Sequence, residues 1–241
     1  MEIQELILPS SKRLVYVRIE RKQMKTNRLK VFPDQTIKLS TPKSTPIGWI
    51  TEFLEDKSGW IEDKLDKFSK TKGYAATTEI RNGMSIKLLG EDLILSVTYD
   101  DKNIVYKEGK VIHVCSNDIN NQDGLLALFE KWWRKESLLI LSAELEKLYP
   151  IVGKYEVAYP KIALRKMKTL WGSCSLQRGI VTFNQYLVKA KLACIKYVVL
   201  HELVHFIYPN HSKQFYDFLS IHMPDWKERK KILDQDVVHG L

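Results

Sequence analysis

Apolar and polar residues alternate along the first half of the chain and recur at helical spacing along much of the second. Val15, Val17 and Ile19 are separated by Tyr16, Arg18 and Glu20, the two-residue period of a strand with one buried face. Short strands at 28–32 and 36–40 flank the turn Pro33-Asp34-Gln35-Thr36. Thr45-Pro46 marks a helix start, with Thr at the cap and Pro at the first helical position. Trp49, Phe53, Trp60, Ile61, Leu65 and Phe68 form an apolar stripe there, and Gly59 divides it into two pieces. Strand-like runs follow at 84–89, 92–99, 103–106 and 110–115, with turns at Gly90-Glu91 and Glu108-Gly109.

A long helix is predicted over 123–149. Leu125, Leu128, Trp132, Leu139, Leu141 and Leu145 supply its buried side, and Pro150 and Gly153 end it. The turn-prone segment Asn117-Asp118-Ile119-Asn120-Asn121-Gln122 places a domain boundary near 120. Beyond the long helix the pattern reads strand (157–164), hairpin (169–184, turning at Leu176-Gln177-Arg178-Gly179) and helices at 190–207, 212–222 and 225–234. Asp225 and Glu228 form a capping-box pattern for the last of these. The fold class is α+β: a β-rich N-terminal domain with one helical segment (1–120), then a second domain (121–241). No internal repeat stands out.

The chain has 241 residues and 44% hydrophobic content, enough for one large or two small cores. No apolar run is long enough to cross a bilayer, and Met1-Glu2-Ile3-Gln4-Glu5 does not read as a secretory signal. Cys115, Cys174 and Cys194 are odd in number, widely spaced and without a CxxC pair, which fits a reducing, cytoplasmic setting. Net charge is +9, concentrated in two stretches. Residues 10–31 carry eight basic side chains against Glu20 alone, and residues 157–201 carry Lys161, Arg165, Lys166, Lys168, Arg178, Lys189, Lys191 and Lys196 with no acid. A nucleic acid or another anionic partner is therefore possible, and solvated faces are the bland alternative.

The chemistry concentrates in His201-Glu202-Leu203-Val204-His205-Phe206-Ile207-Tyr208-Pro209-Asn210-His211. Residues four apart stack on one helix face, so His201 and His205 sit side by side with Glu202 on the same turn. These groups lie in an apolar run, where burying them without a partner is costly and a metal ion removes the cost. Pro209 breaks the helix and Asn210 tolerates a tight turn, which lets His211 swing back as a third ligand. Three imidazoles with an adjacent carboxylate suit Zn2+ and a catalytic Glu202.

The surrounding residues carry a family resemblance. The segment Leu164-Arg165-Lys166-Met167-Lys168-Thr169-Leu170-Trp171-Gly172-Ser173-Cys174-Ser175 resembles the motif preceding the metal helix in the YgjP-like metallopeptidase family. Phe183-Asn184, the run from Tyr197 to His205, Asn210-His211-Ser212-Lys213-Gln214-Phe215 and Met223-Pro224-Asp225-Trp226-Lys227 match further positions in order. The resemblance implies a zincin-type domain related to the SprT and WLM metalloproteases, with zinc on His201, His205 and His211 and Glu202 as general base. The histidine spacing is also that of metzincins, but Tyr208 stands where those enzymes have glycine.

The resulting expectation is a zinc-dependent peptidase that cleaves protein or peptide substrates with an activated water. Trp171, Gly172, Ser173 and Asn184 are candidate substrate-binding residues, because an edge strand there could hold an extended peptide. Tyr208, Tyr216, Arg165 and Asn184 are candidates for stabilising the oxyanion. Cys174 reads as a packed structural thiol rather than a nucleophile. Two alternatives stay open: a metal-dependent phosphohydrolase acting on nucleotides, such as a pyrophosphatase, and a nucleic-acid-associated protease.

Overall fold

The computed structural model describes residues 2–32, 34–70, 79–167 and 170–235. It divides into two compact units, Met1–Gly73 with Val237–Gly240, and Tyr74–Asp236 with Leu241.

The first unit holds a four-stranded sheet of β1 (Glu2–Ile7), β2 (Leu14–Lys22), β3 (Arg28–Val31) and β4 (Ile37–Pro42) in the order β1-β2-β4-β3. The β2/β4 pair is parallel and the others are antiparallel. The alternation at 15–19 is realised: Val15, Val17 and Ile19 are buried while Tyr16 and Arg18 are exposed. Helices α1 (Ile47–Asp56) and α2 (Ser58–Lys70) complete this core, with Ile50, Leu54, Ile61 and Leu65 joining the strand residues. They are indeed two pieces, but the break falls at Lys57 and Gly59 lies inside α2. Pro46 caps α1 from outside its first turn. Strand β1 had no counterpart in the sequence reading. The β1–β2 turn is gripped by Glu62, whose carboxylate accepts from the amides of Ser10 (2.9 Å) and Ser11 (2.6 Å).

The second unit begins with β5 (Ser85–Leu88), β6 (Glu91–Tyr99), β7 (Ile104–Glu108) and β8 (Val111–Ser116), in the order β5-β6-β8-β7. Helix α3 runs Gln122–Gly153 and packs on β7 and β8. The boundary expected near 120 therefore differs from the observed division at 73/74. Ile86, Leu88, Leu93, Leu95, Ile112 and Val114 share one core with α3 and the C-terminal elements, so this sheet has no separate cover. The polar segment before α3 acts as its cap, with Asn121 accepting from the Gly124 amide (2.9 Å).

Helix α3 also continues through Pro150, where the pattern predicted a stop. Its last turn is held by burial of Val152 and by the Tyr149 hydroxyl donating to the Val157 carbonyl (2.7 Å), which outweighs one missing backbone bond. The buried side of α3 is Leu125, Phe129, Trp133, Ser137, Leu141 and Leu145, a four-residue ladder, whereas Leu139 faces outward. Ser137 is tolerated inside because its Oγ donates to the Gln185 carbonyl (3.1 Å), which also accepts from Trp133 Nε1 (3.0 Å).

A three-stranded sheet follows: β9 (Lys161–Arg165), β10 (Gly172–Ser175) and β11 (Ile180–Asn184), ordered β10-β11-β9. The hairpin β10–β11 turns through Gly179 with φ +60°, a conformation suited to glycine. Three helices close the unit: α4 (Leu192–Val204), α5 (Lys213–His222) and α6 (Trp226–Gln235). Asp225 gives its carboxylate to Arg229 Nε (2.9 Å), an i,i+4 ion pair on α6.

Candidate metal centre

Helix α4 is buried over most of its length, with Ile195, Val199, Leu200 and Leu203 at 0% exposure, so it forms the spine of the core. It carries His201 and Glu202 in its last turn and ends on His205. The helix stops well before Pro209. The amides of Ile207 and Tyr208 both reach back to the Val204 carbonyl (3.0 and 2.9 Å), a tightened turn that redirects the chain. Ser212 then caps α5 by accepting from the Phe215 amide (3.4 Å), which fixes His211 immediately ahead of the helix.

These elements bring the three imidazoles together. One ligand nitrogen from each of His201, His205 and His211 lies within 4.8 Å of the others. His201 Nε2 and His211 Nε2 are 2.9 Å apart. His205 Nδ1 is 3.2 Å from the Tyr208 carbonyl, a contact that leaves its Nε2 for the shared centre. Phe215 forms the floor, its ring centroid 4.8–4.9 Å from all three imidazoles. Burial, then the neighbouring His205 and His211, pushes His201 down to about 3, and burial also lowers His205. Both are thus neutral near pH 7, the form that donates a lone pair to a cation. His201 Nδ1 is buried without a hydrogen-bond partner among the described residues. Two ring nitrogens this close must share something positive, a proton on one of them or a cation held by both. The donor set therefore fits a divalent cation, and three imidazole nitrogens suit zinc.

Glu202 is buried beside this cluster, and burial pushes its carboxyl up to about 8. Both lie in a cleft of about 580 Å³ between α4, the segment 170–174 and α6. Strand β10 is an edge of its sheet on this side. Trp171, Gly172, Ser173 and Cys174 line one wall, and Lys230, Leu233 and Asp234 line the other.

A model of the YgjP-like metallopeptidase domain matches residues 25–236. The chain belongs to the YgjP-like metallopeptidase family. Two solved structures are similar over part of it. The metallopeptidase zymogen abylysin of Pyrococcus abyssi is 22% identical, with 41% of this chain and 98% of that chain covered and a TM-score of 0.35. The zymogen jannalysin of Methanocaldococcus jannaschii is 22% identical, with 38% and 90% covered and a TM-score of 0.33. No curated protein matches the chain. As a metallopeptidase it is a hydrolase, and no described helix is long and apolar enough to cross a membrane.

In this YgjP-like chain the sequence-predicted residues do not all meet. Trp171, Gly172 and Ser173 line the cleft with Glu202 and the three histidines. Asn184 does not: it is fully buried, and its side chain donates to the carbonyls of Met167 (2.7 Å) and Leu170 (3.0 Å) and accepts from the Tyr186 amide (3.2 Å). It pins the approach to β10 from behind. Of the four oxyanion candidates, Tyr216 alone lines the cleft. It stacks on His211 (centroids 6.1 Å, 22°) and on Trp226 (5.1 Å, 17°). Burial, then Glu202, pushes the Cys174 thiol up to about 12, so it is no thiolate nucleophile. No described Lys or Arg of the stretch 157–201 lines the cleft, and Lys168 lies outside the described residues. The charged groups beside Glu202 in the lining are Lys230 and Asp234, an ion pair of 2.7 Å.

The floor residue Phe215 was legible in sequence only as an apolar core position. The i+4 relation from His211 to Phe215, within a helix that starts between them, was the available signal.

Proposed function

We propose that the protein is a zinc-dependent peptidase, with His201, His205 and His211 holding the ion and Glu202 serving as general base. The convergence of three imidazole nitrogens within 4.8 Å of one another, beside a buried carboxyl, carries this reading. A zinc ion bound there would supply Lewis acidity toward water and the scissile carbonyl.

The chain's own residues do the rest. Glu202 takes the proton from the attacking water and returns it to the departing amine. A buried carboxyl lining the same cleft as the three imidazoles suits this double duty. The Tyr216 hydroxyl is the candidate to donate to the developing oxyanion, its ring held between His211 and Trp226. The edge of β10 offers backbone groups to an extended substrate, with Trp171 beside it. The odd number and wide spacing of Cys115, Cys174 and Cys194 favour a cytoplasmic setting.

The test is hydrolysis of fluorescein-labelled casein by the zinc-loaded protein and its variants. Glu202→Gln keeps its zinc and loses roughly 1000-fold in turnover, within the range for loss of a general base. His211→Ala loses zinc affinity by more than about 100-fold, read by competition with a chromogenic chelator. Full turnover in Glu202→Gln removes the proposed base, and undiminished affinity in His211→Ala removes the third ligand.

A further inference from the structure

Gly172 sits where β10 passes close over Glu202. A Cβ built on Gly172 would stand 2.7 Å from Glu202 Cγ, 2.7 Å from Oε1 and 2.9 Å from Cδ. Atoms do not approach that closely, so a side chain at 172 and the present Glu202 conformer exclude each other. The backbone gives no separate reason for glycine, because Gly172 is not among the residues with positive φ. Space alone demands it.

Neither backbone is free to retreat. On the strand side, Gly172 is paired opposite Phe183, which is fully buried, and the Trp171 carbonyl accepts from the Asn184 amide (2.9 Å). The Asn184 side chain holds the preceding turn through the Met167 and Leu170 carbonyls (2.7 and 3.0 Å). On the helix side, Val199, Leu200 and Leu203 are at 0% exposure and lock α4 in the core. The movable part is the Glu202 side chain. Among the described residues no hydrogen bond fixes its carboxylate, so packing against the bare strand sets where it points.

We infer that Gly172 is a positioning residue for Glu202: its missing side chain is the slot in which the carboxylate is held facing the three histidines. This rests on Glu202 being the base. The proposal also separates folding from chemistry. An added methyl group is accommodated by swinging one side chain rather than by moving strand or helix, so the protein still folds and binds zinc while the base leaves its working position.

The experiment compares Gly172→Ala with wild type as zinc-loaded proteins. Zinc stoichiometry and melting temperature stay close to wild type, kcat on fluorescein-labelled casein falls by about 100-fold as for a 1 Å misplacement, and KM changes little. A crystal structure of Gly172→Ala shows the Glu202 carboxylate displaced by about 1 Å or more, more than a productive site tolerates. A carboxylate in its original place overturns the proposal whatever the activity. A double-mutant cycle gives a second check. Glu202→Asp shortens the side chain and opens the slot, so adding Gly172→Ala to it costs far less than in wild type. Equal cost in both backgrounds places the defect elsewhere and also overturns the proposal. Its failure is distinct from failure of the base assignment, which Glu202→Gln tests alone.

Discussion

The molecule builds the same four-stranded sheet twice and uses it for two different ends. The sheets β1–β4 and β5–β8 share strand order, with the second and fourth strands parallel and the outer pairs antiparallel. In the first unit the sheet is backed by α1 and α2 in a core of its own. In the second, the sheet is backed by α3, whose ladder of large side chains continues into the core around α4 and the metal centre. The lesson is that topology does not decide which sheet serves the chemistry. The helix that covers the sheet does, because a shared core transmits any loss of packing to the site.

Three perturbations sharpen or break this contrast. The largest effect belongs to Trp133, which is buried against Phe129 and donates to the Gln185 carbonyl. Trp133→Ala should cost about 3–5 kcal/mol and loosen zinc retention at the same time, read by urea melts and by zinc remaining after dialysis. A variant that loses stability but holds zinc as wild type does would break the claim of a shared core. Leu39, at 0% exposure in the first unit, is the counterpart. Leu39→Ala should cost about 2–5 kcal/mol in the unfolding of that unit while zinc content and casein hydrolysis persist. Parallel loss of activity would show the two cores to be coupled.

The smallest effect is an acid response confined to the first unit. Hydrogen bonds from Ser11 and Ser10 hold Glu62 down to about 2, below its usual 4.5. A depressed folded value stabilises above the unfolded value and is lost as pH falls, so this contribution fades between about pH 5 and pH 2. Glu62→Gln should lower the melting temperature at pH 7 and flatten that acid decline, with no change in the zinc site.

Much of the histidine cluster was legible because its information is local. His201 and His205 meet by helical period, and Pro209 and Asn210 announce that the chain turns before His211. The contacts that tune the site were not legible, because they join residues far apart. Nothing near Gly172 in the sequence indicates that Glu202 lies over it, and the polar side chain of Asn184 suggested ligand contact when it serves three internal partners. The boundary expected near 120 and the division into compact units differ for a related reason. An alternating strand shows that one face is covered but not by what, so the strands at 85–116 read as belonging with those before them. Pro150 misled in the opposite way: it lowers helix propensity locally, while buried Val152 and the Tyr149 bond to Val157 beyond the helix anchor the last turn.

The tip of the second sheet also meets the chain just ahead of α4. At the β5–β6 tip, the amides of Leu89 and Gly90 donate to the carbonyls of Val188 and Lys189 (2.7 and 3.2 Å), and Gly90, with φ +83°, has no room for a Cβ beside Lys191. Lys191 is the residue from which α4 sets out. The hairpin tip thus abuts the start of the helix that carries His201 and Glu202. An engineer wishing to slide both histidines and the carboxyl together, without touching any of them, would begin by reshaping those two residues.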